Sequence, residues 1–289
     1  MKTLRESLRD AEAGGYALGH FNISDLAALM AIANVAIEME VPVLIGTSEG
    51  EAGFLGYREV AAVVKALREE HQHPIFLNAD HTRSIEKIKE AAEAGYDMVI
   101  FDGAQHPFEE NVRLTKEAVT LAKSINPNIV VEGELGYIGT SSEVLKEVPP
   151  GAALTPGQMT SPEEAEAFVE ETGVDMFAPA VGNVHGIVIA KGFIEKLHIP
   201  RIEEIRNMVH VPLVLHGASG LADGDIRAAV AAGIRVVHIN TELRIAWRKG
   251  MEEGLKEKPD EVAPYKIYPK AMEAMKKVVR EKLELLSGN

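Results

Sequence analysis

The chain has 289 residues, 46% apolar and 26% charged, with no cysteine and a net charge of −14 at pH 7. The missing cysteine excludes disulfides, thiolate nucleophiles and Cys-ligated metal centres. The acidic balance, without a basic face, argues against nucleic-acid binding. No apolar run approaches the roughly 18 residues that span a bilayer, and the opening MKTLRESLRD reads as a polar helix start rather than a signal peptide, so a cytoplasmic protein that avoids membranes is expected.

Strands are predicted at 16–21, 41–46, 74–78, 97–101, 129–133, 175–179, 211–215 and 235–239. These runs are mostly Val, Ile, Leu and Phe, as in strands buried on both faces of a parallel sheet. Amphipathic stretches lie between them. One begins at Ser24, and SIEKIKEAAEAG begins at Ser84 and stops at Gly95. Another takes Ser161 as N-cap, Pro162 at its first position and Gly173 at its stop. AAEAGYDMVI, VEETGVDMFA and VAAGIRVVHI repeat one order of helix, glycine, strand. Eight such units predict a single (β/α)8 barrel domain over residues 1–289, of the kind that takes about 250 residues. No GxGxxG follows the first strand, which weakens the open dinucleotide-binding sheet as a rival. The connection 136–160, rich in Gly, Ser, Thr and Pro, reads as a mobile lid, and 265–286 as an added C-terminal helix.

Catalytic groups of such a barrel sit at the C-terminal ends of its strands. Read in order, those ends offer Asn22, Ser48, Asp80 with His81, Asp102, Glu134, His185, His216 with Gly217, and Asn240 with Thr241. Asn, Asp and Ser also serve as helix N-caps, which is the alternative for Asn22, Ser48 and Asp102. Among the ten histidines, His71, His73, His198 and His210 fall in polar turns or helix ends and are expected to be solvated, and His106 carries little signal. His81, His185 and His216 follow apolar strands. Three imidazoles with open positions suit Zn²⁺ or another divalent transition metal, against core or capping histidines as the alternative. HGASG (216–220) and GNVHG (182–186) offer small residues whose backbone N–H groups reach an anion.

Taken together, GHFNISDL, LIGTSEGE, NADHTRS, MVIFDG, VEGELG, AVGNVHG, VLHGASG and HINTELR resemble the class II, metal-dependent ketose-bisphosphate aldolases over nearly the whole chain. The resemblance implies metal ligands His81, His185 and His216, with Asp102 and Glu134 as supporting or alternative carboxylates. It implies Asp80 as the acid/base and Glu143 as the lid carboxylate, one residue displaced from its usual spacing. Gly186, Gly217, Ser219 and Thr241, with Asn240 beside them, would form the phosphate pocket, and Asn22 and Ser48 would contact substrate. It further implies a homodimer or homotetramer and a bound monovalent cation. Thr82 after the Asp-His pair, Ala218 in HGASG and His238 in place of Asn depart from the family pattern.

The implied reaction is reversible cleavage of fructose 1,6-bisphosphate to dihydroxyacetone phosphate and glyceraldehyde 3-phosphate, a glycolytic step. Tagatose bisphosphate or another phosphorylated ketose is the alternative within the class. Outside it stand a metal-dependent sugar-phosphate isomerase or epimerase and a non-catalytic phosphosugar-binding protein. Period-two alternation places His20 and His238 inside the barrel within contact of each other. They read either as a hydrogen-bonded core pair or, for His238, as a reader of the substrate.

Overall fold

The computed structural model describes residues 1–140 and 142–287. Eight parallel strands close into a barrel: β1 (Leu18–Asn22), β2 (Val43–Ser48), β3 (Ile75–Thr82), β4 (Met98–Phe101), β5 (Val130–Leu135), β7 (Met176–Pro179), β9 (Leu213–Leu215) and β10 (Ile234–Ile239). They neighbour one another in chain order, and β10 closes the ring on β1 with His20 paired to His238. Two short strands, β6 (Val144–Leu145) and β8 (Ile187–Val188), pair outside the barrel.

Helices follow the strands and cover the outside: α2 (Leu26–Glu38), α3 (Glu49–Leu55), α4 (Tyr57–His71), α5 (Ile85–Ala94), α6 (Phe108–Ile125), α7 (Pro162–Thr172), α8 (Ile199–Met208), α9 (Asp223–Ala231) and α10 (Thr241–Glu257). The final helix, α11 (Pro264–Leu286), packs on α10 and α2. The stop signals behave as expected, since Gly95 and Gly173 take left-handed φ of 91° and 69° at the ends of α5 and α7. The N-cap of α2 is Asp25, whose side chain accepts from Ala28 N, rather than Ser24. A carboxylate one residue later reaches the first-turn N–H groups equally well.

Alternation along the strands divides the core. One set of apolar side chains faces the helices. The other set, including Leu18, Leu44, Phe76, Met98, Val130, Val214 and Val236, fills the barrel's lower interior. The first helix, α1 (Leu4–Gly14), plugs that end with Leu4, Leu8 and Ala11. Several strands begin and end one to four residues later than the apolar runs suggest, β3 reaching Thr82 and β5 reaching Leu135. Apolar content marks only the filled half of a barrel strand, and the ladder continues into the polar rim.

Several contacts tie the connection 136–160 to the barrel. The connection's β6 pairs with β8, Tyr137 O accepts from Ala153 N at 2.9 Å, and Ile138, Ala153 and Ala180 share a small apolar cluster. Residue 141 of the expected lid, and residues 288 and 289 of the expected domain, lie outside the described residues.

Candidate active site

The strands' C-terminal ends bring most of the singled-out polar residues to one rim. Consecutive residues of a strand point to opposite faces, so Asp80 and His81 would normally part. A bulge prevents this: between Ala79 and Thr82 the pairing of β3 with β4 slips by one residue, and His81 takes a left-handed φ of 48°. Such backbone is uncommon outside glycine and clusters at functional sites. Here it turns both side chains toward the mouth.

The three candidate metal-ligating rings meet. Ring centroids lie 4.4 Å apart for His81 and His185, 4.6 Å for His81 and His216, and 6.4 Å for His185 and His216. His81 Nε2 and His216 Nδ1 face each other at 3.0 Å. The far nitrogens are held by carboxylates. His81 Nδ1 lies 3.2 Å from Asp102 Oδ2 and 3.3 Å from Glu134 Oε2, and His216 Nε2 lies 2.7 Å from Glu132 Oε1. Glu134 Oε2 and His185 Nδ1 are buried without a hydrogen-bond partner.

Asp80 is buried, and its Oδ2 accepts from Asn22 Nδ2 at 2.8 Å. Its Oδ1 lies 3.3 Å from His238 Nδ1, out of line for a hydrogen bond, and 3.9 Å from His81 Nε2, and it makes no hydrogen bond. His20 and His238 stack at 3.6 Å with an 8° interplanar angle, and His238 stacks on His216 at 4.1 Å and 22°. They therefore form a stacked interior pair rather than a hydrogen-bonded one. His20 Nε2 faces Asn78 Nδ2 at 2.9 Å. A Cβ on Gly46 would sit 2.2 Å from His20 Cε1. We expect Gly46→Ala to cost about 1–3 kcal/mol, as overpacking does, read as a lowered Tm. An unchanged Tm would mean that the stacked rings have room to shift.

His81, Glu134 and His216 bring donor atoms within 4.8 Å of one another, as do His20–Asp80–His238 and Glu132–His216–His238. The last two groups each contain a stacked pair of rings. A ring nitrogen's lone pair lies in the ring plane, so two nearly parallel stacked rings cannot both aim at one ion. Only the first group, whose rings meet edge-on at 79°, suits a metal.

Burial opposes charge on His81, but Asp80, Glu134 and Asp102 outweigh it and hold the ring well above its usual value. Burial likewise opposes ionisation of Asp80, and His81, His238 and His20 outweigh it and hold the carboxyl well below its usual value. Asp102 is also held low, against its burial, by His81 and Arg83. His185 is pushed down to about 3 by burial and by His81 and His216. The site thus collects a low-value carboxylate, a neutral imidazole and a cationic one within a few ångströms.

The anion-binding candidates fall together. Gly217 has φ 65°, and a Cβ there would lie 2.2 Å from Val184 O, so only glycine lets HGASG approach the GNVHG loop. Asn183 Nδ2 donates to His216 O at 2.9 Å and ties the two loops. Ser219 Oγ accepts from Asn240 N and Glu242 N at the start of α10, both at 3.3 Å. Asn22, Asp80, His185, Gly186, Gly217, Ser219, Asn240 and Thr241 line one small cavity. A larger groove of about 300 Å³ on the opposite barrel face is lined by Arg5 and Arg206, already paired with Asp175 and Glu12. It holds none of these groups.

Other candidates sit differently. Ser48 caps α3 in a reciprocal capping box with Glu51, the role its residue type offered from the start. Asn22 caps nothing and bridges Glu51 and Asp80. Asn240 precedes α10 but makes no side-chain cap. Glu143 is exposed, and among the described residues its carboxylate makes no hydrogen bond or ion pair, while its backbone oxygen accepts from Ile187 N at 2.9 Å. His73, expected in solvent, is buried with Nε2 2.7 Å from Val41 O. Glu132 and Glu51 escaped the sequence reading. Glu132 carried a legible signal, since it stands two residues before Glu134 and so shares its face.

The family model for class II fructose-bisphosphate aldolase matches residues 2–289. The chain belongs to this family. It is an aldolase, and hence a lyase. It is 37% identical over 284 residues to the fructose-bisphosphate aldolase of Geobacillus stearothermophilus, covering 97% of this chain and 95% of that one. It also resembles the crystal structure of the YdjI aldolase from Escherichia coli K12, with a TM-score of 0.82 and 32% identity over 98% of this chain and 96% of that one. The fold alone is shared with fructose-bisphosphate aldolase from Campylobacter jejuni, with a TM-score of 0.79 and 22% identity over 99% and 94%. Among the described residues no helix is long and apolar enough to cross a membrane.

One carboxyl beside this aldolase's GNVHG loop carries a pH prediction. Glu195 accepts from Val184 N at 2.6 Å, and burial pushes it from 4.5 up to about 8. A raised folded value means the folded protein holds this proton more tightly than the unfolded chain. Its contribution is whole below pH 4.5 and is lost as pH rises toward 8. We expect Glu195→Gln to gain Tm over the parent progressively between pH 5 and 8. A Tm difference constant across that window would contradict this.

Proposed function

We propose that this aldolase cleaves fructose 1,6-bisphosphate reversibly to dihydroxyacetone phosphate and glyceraldehyde 3-phosphate, using Zn²⁺ or a similar divalent ion held by His81, His185 and His216. One observation carries the reading. The near nitrogens of His81 and His216 face each other at 3.0 Å while carboxylates hold both far nitrogens. Two nitrogens about 2.0–2.1 Å from one tetrahedral ion lie roughly 3.3–3.4 Å apart, close to this spacing. The unpartnered His185 Nδ1 and Glu134 Oε2 supply further donors, and carboxylate-held imidazoles are the usual surroundings of a bound metal. The donor set fits. When bound, the ion supplies Lewis-acid stabilisation of charge on the ketose oxygens.

The chain's own residues do the rest. Asp80, anchored through Oδ2 by Asn22, presents Oδ1 to the cavity. In cleavage it takes the proton of the hydroxyl that becomes the aldehyde, and in condensation it returns it. Gly186, Gly217, Ser219 and Thr241, with the start of α10, hold the phosphate and so orient the reacting carbons from a distance. Asn22 and Asn240 face the sugar. Ser48 acts through its cap on α3. Asp102 keeps His81 oriented. Glu143 would serve as the lid base once the 136–160 connection moves. A single cytoplasmic domain forming a homodimer or homotetramer, with a monovalent cation, completes the proposal.

A coupled assay tests it, offering the zinc-loaded protein fructose and tagatose bisphosphates and ketose 1-phosphates. Triose phosphate from fructose 1,6-bisphosphate is expected. A better rate with another ketose corrects the substrate. Isomerised sugar without triose, or binding without turnover, overturns the reaction.

A further inference from the structure

The C-terminal helix has no part in the chemistry above, yet it buries a lysine. Met275, Val279, Leu283 and Leu286 form a buried apolar stripe along α11. Lys282 falls on the same face, three residues after Val279 and four before Leu286, and is 7% exposed. Methionine or leucine would fill that place without taking a charge out of water. The ammonium instead reaches Glu242 in the first turn of α10, with Nζ 2.9 Å from Oε1. The same oxygen accepts from Gly220 N at 2.7 Å. We propose that Lys282 is a positioning residue of the phosphate pocket: through Glu242 it holds the Ser219–Gly220 turn in place and cancels the carboxylate's charge beside the anion. What the pocket binds rests on the proposed function. The strut from α11 to the turn does not.

The turn is held from two sides. Ser219 Oγ accepts from Asn240 N and Glu242 N, and Gly220, in left-handed backbone at φ 90°, gives its N–H to the Glu242 carboxylate. Ser219 and Thr241, the chain neighbours of Gly220 and Glu242, line the cavity. A shift of Glu242 therefore moves two walls of the pocket together.

The charge matters as well. A helix start attracts anions, and Glu242 already supplies one at the start of α10. Alone, this carboxylate would repel a phosphate arriving at the same end. The buried cation against Oε1 removes that conflict and leaves the oxygen to hold Gly220. Packing gives no reason for the pair, because a buried ion pair is often no more stabilising than apolar residues of similar volume.

The test uses the full-length zinc-loaded protein as K282M, E242Q and the double variant. Three quantities are read: Kd for inorganic phosphate, kcat and KM for fructose 1,6-bisphosphate, and exchange of the Gly220 amide proton by NMR. K282M is expected to weaken phosphate binding and raise KM at least about tenfold, with a smaller change in kcat, because a like charge is left facing the anion. Its Gly220 amide is expected to exchange faster. E242Q alone is expected to bind phosphate no more weakly than the parent. The double variant carries neither charge and keeps an acceptor for Gly220, so its phosphate affinity should return to within about threefold of the parent, as for a coupled pair. Parental phosphate affinity or parental Gly220 exchange in K282M overturns the proposal. So does an E242Q that loses phosphate, or a double variant as weak as K282M. If K282M does not fold, the double variant decides, and one that loses phosphate or does not fold overturns the proposal. A parental protein that binds no phosphate overturns the phosphate reading, and Gly220 exchange still judges the strut.

Discussion

His81→Ala is expected to lose its zinc and at least about 10³-fold in kcat/KM, since a Lewis-acid metal contributes several kcal/mol and each 1.36 kcal/mol is tenfold. His81 is the hub of the candidate centre. It faces His216 through one nitrogen and Asp102 and Glu134 through the other, and its ring also meets His185. Removing it leaves Asp102 and Glu134 as buried carboxylates without their main cationic neighbour. His185→Ala is expected to cost less metal, because that ring stands farther from His216 and its Nδ1 has no partner. Elemental analysis of the purified variants beside steady-state kinetics checks both. Full metal content and parental turnover in His81→Ala would contradict the assignment.

The second large effect is expected at Asp80. Asp80→Ala should keep its zinc and lose about 10²–10⁴-fold in cleavage, the span of a positioned proton donor or acceptor. The carboxylate is built for one direction of use. Asn22 occupies Oδ2, and Oδ1 is left to the cavity. Its proton belongs to the hydroxyl next to the breaking bond. Exchange of a dihydroxyacetone phosphate carbon proton with solvent, at the other end of the reaction, should survive in the variant. A variant that cleaves at the parental rate would reduce Asp80 to a buried partner of Asn22. One that loses cleavage and zinc together would make it a support of the metal.

The barrel was legible because its strands alternate with helices whose caps and glycine stops obey local rules. Ser84, Ser161, Gly95 and Gly173 act as their residue types suggest. Strand lengths were not, because Thr47 and Ser48 in β2, Asp80 to Thr82 in β3 and Glu134 in β5 continue the ladder as polar residues beyond the apolar runs. The convergence of His81, His185 and His216 was readable from their places at strand ends. Their pairing was not. It depends on the bulge and left-handed backbone at His81, which no periodicity announces. His73 misled because a polar turn in sequence packs under Val41 in space. Asn22 and Ser48 looked alike as rim residues. The choice between cap and site was made by Glu51, whose carboxylate accepts from both.

On the proposed function, one divalent ion sits among His81, His185 and His216. Anomalous diffraction at the zinc edge, from crystals of the protein purified with zinc, tests it most directly. One strong peak is expected within about 2.0–2.2 Å of a nitrogen from each of the three rings. A fully active crystal with no peak there, or with its metal bound elsewhere, would contradict it.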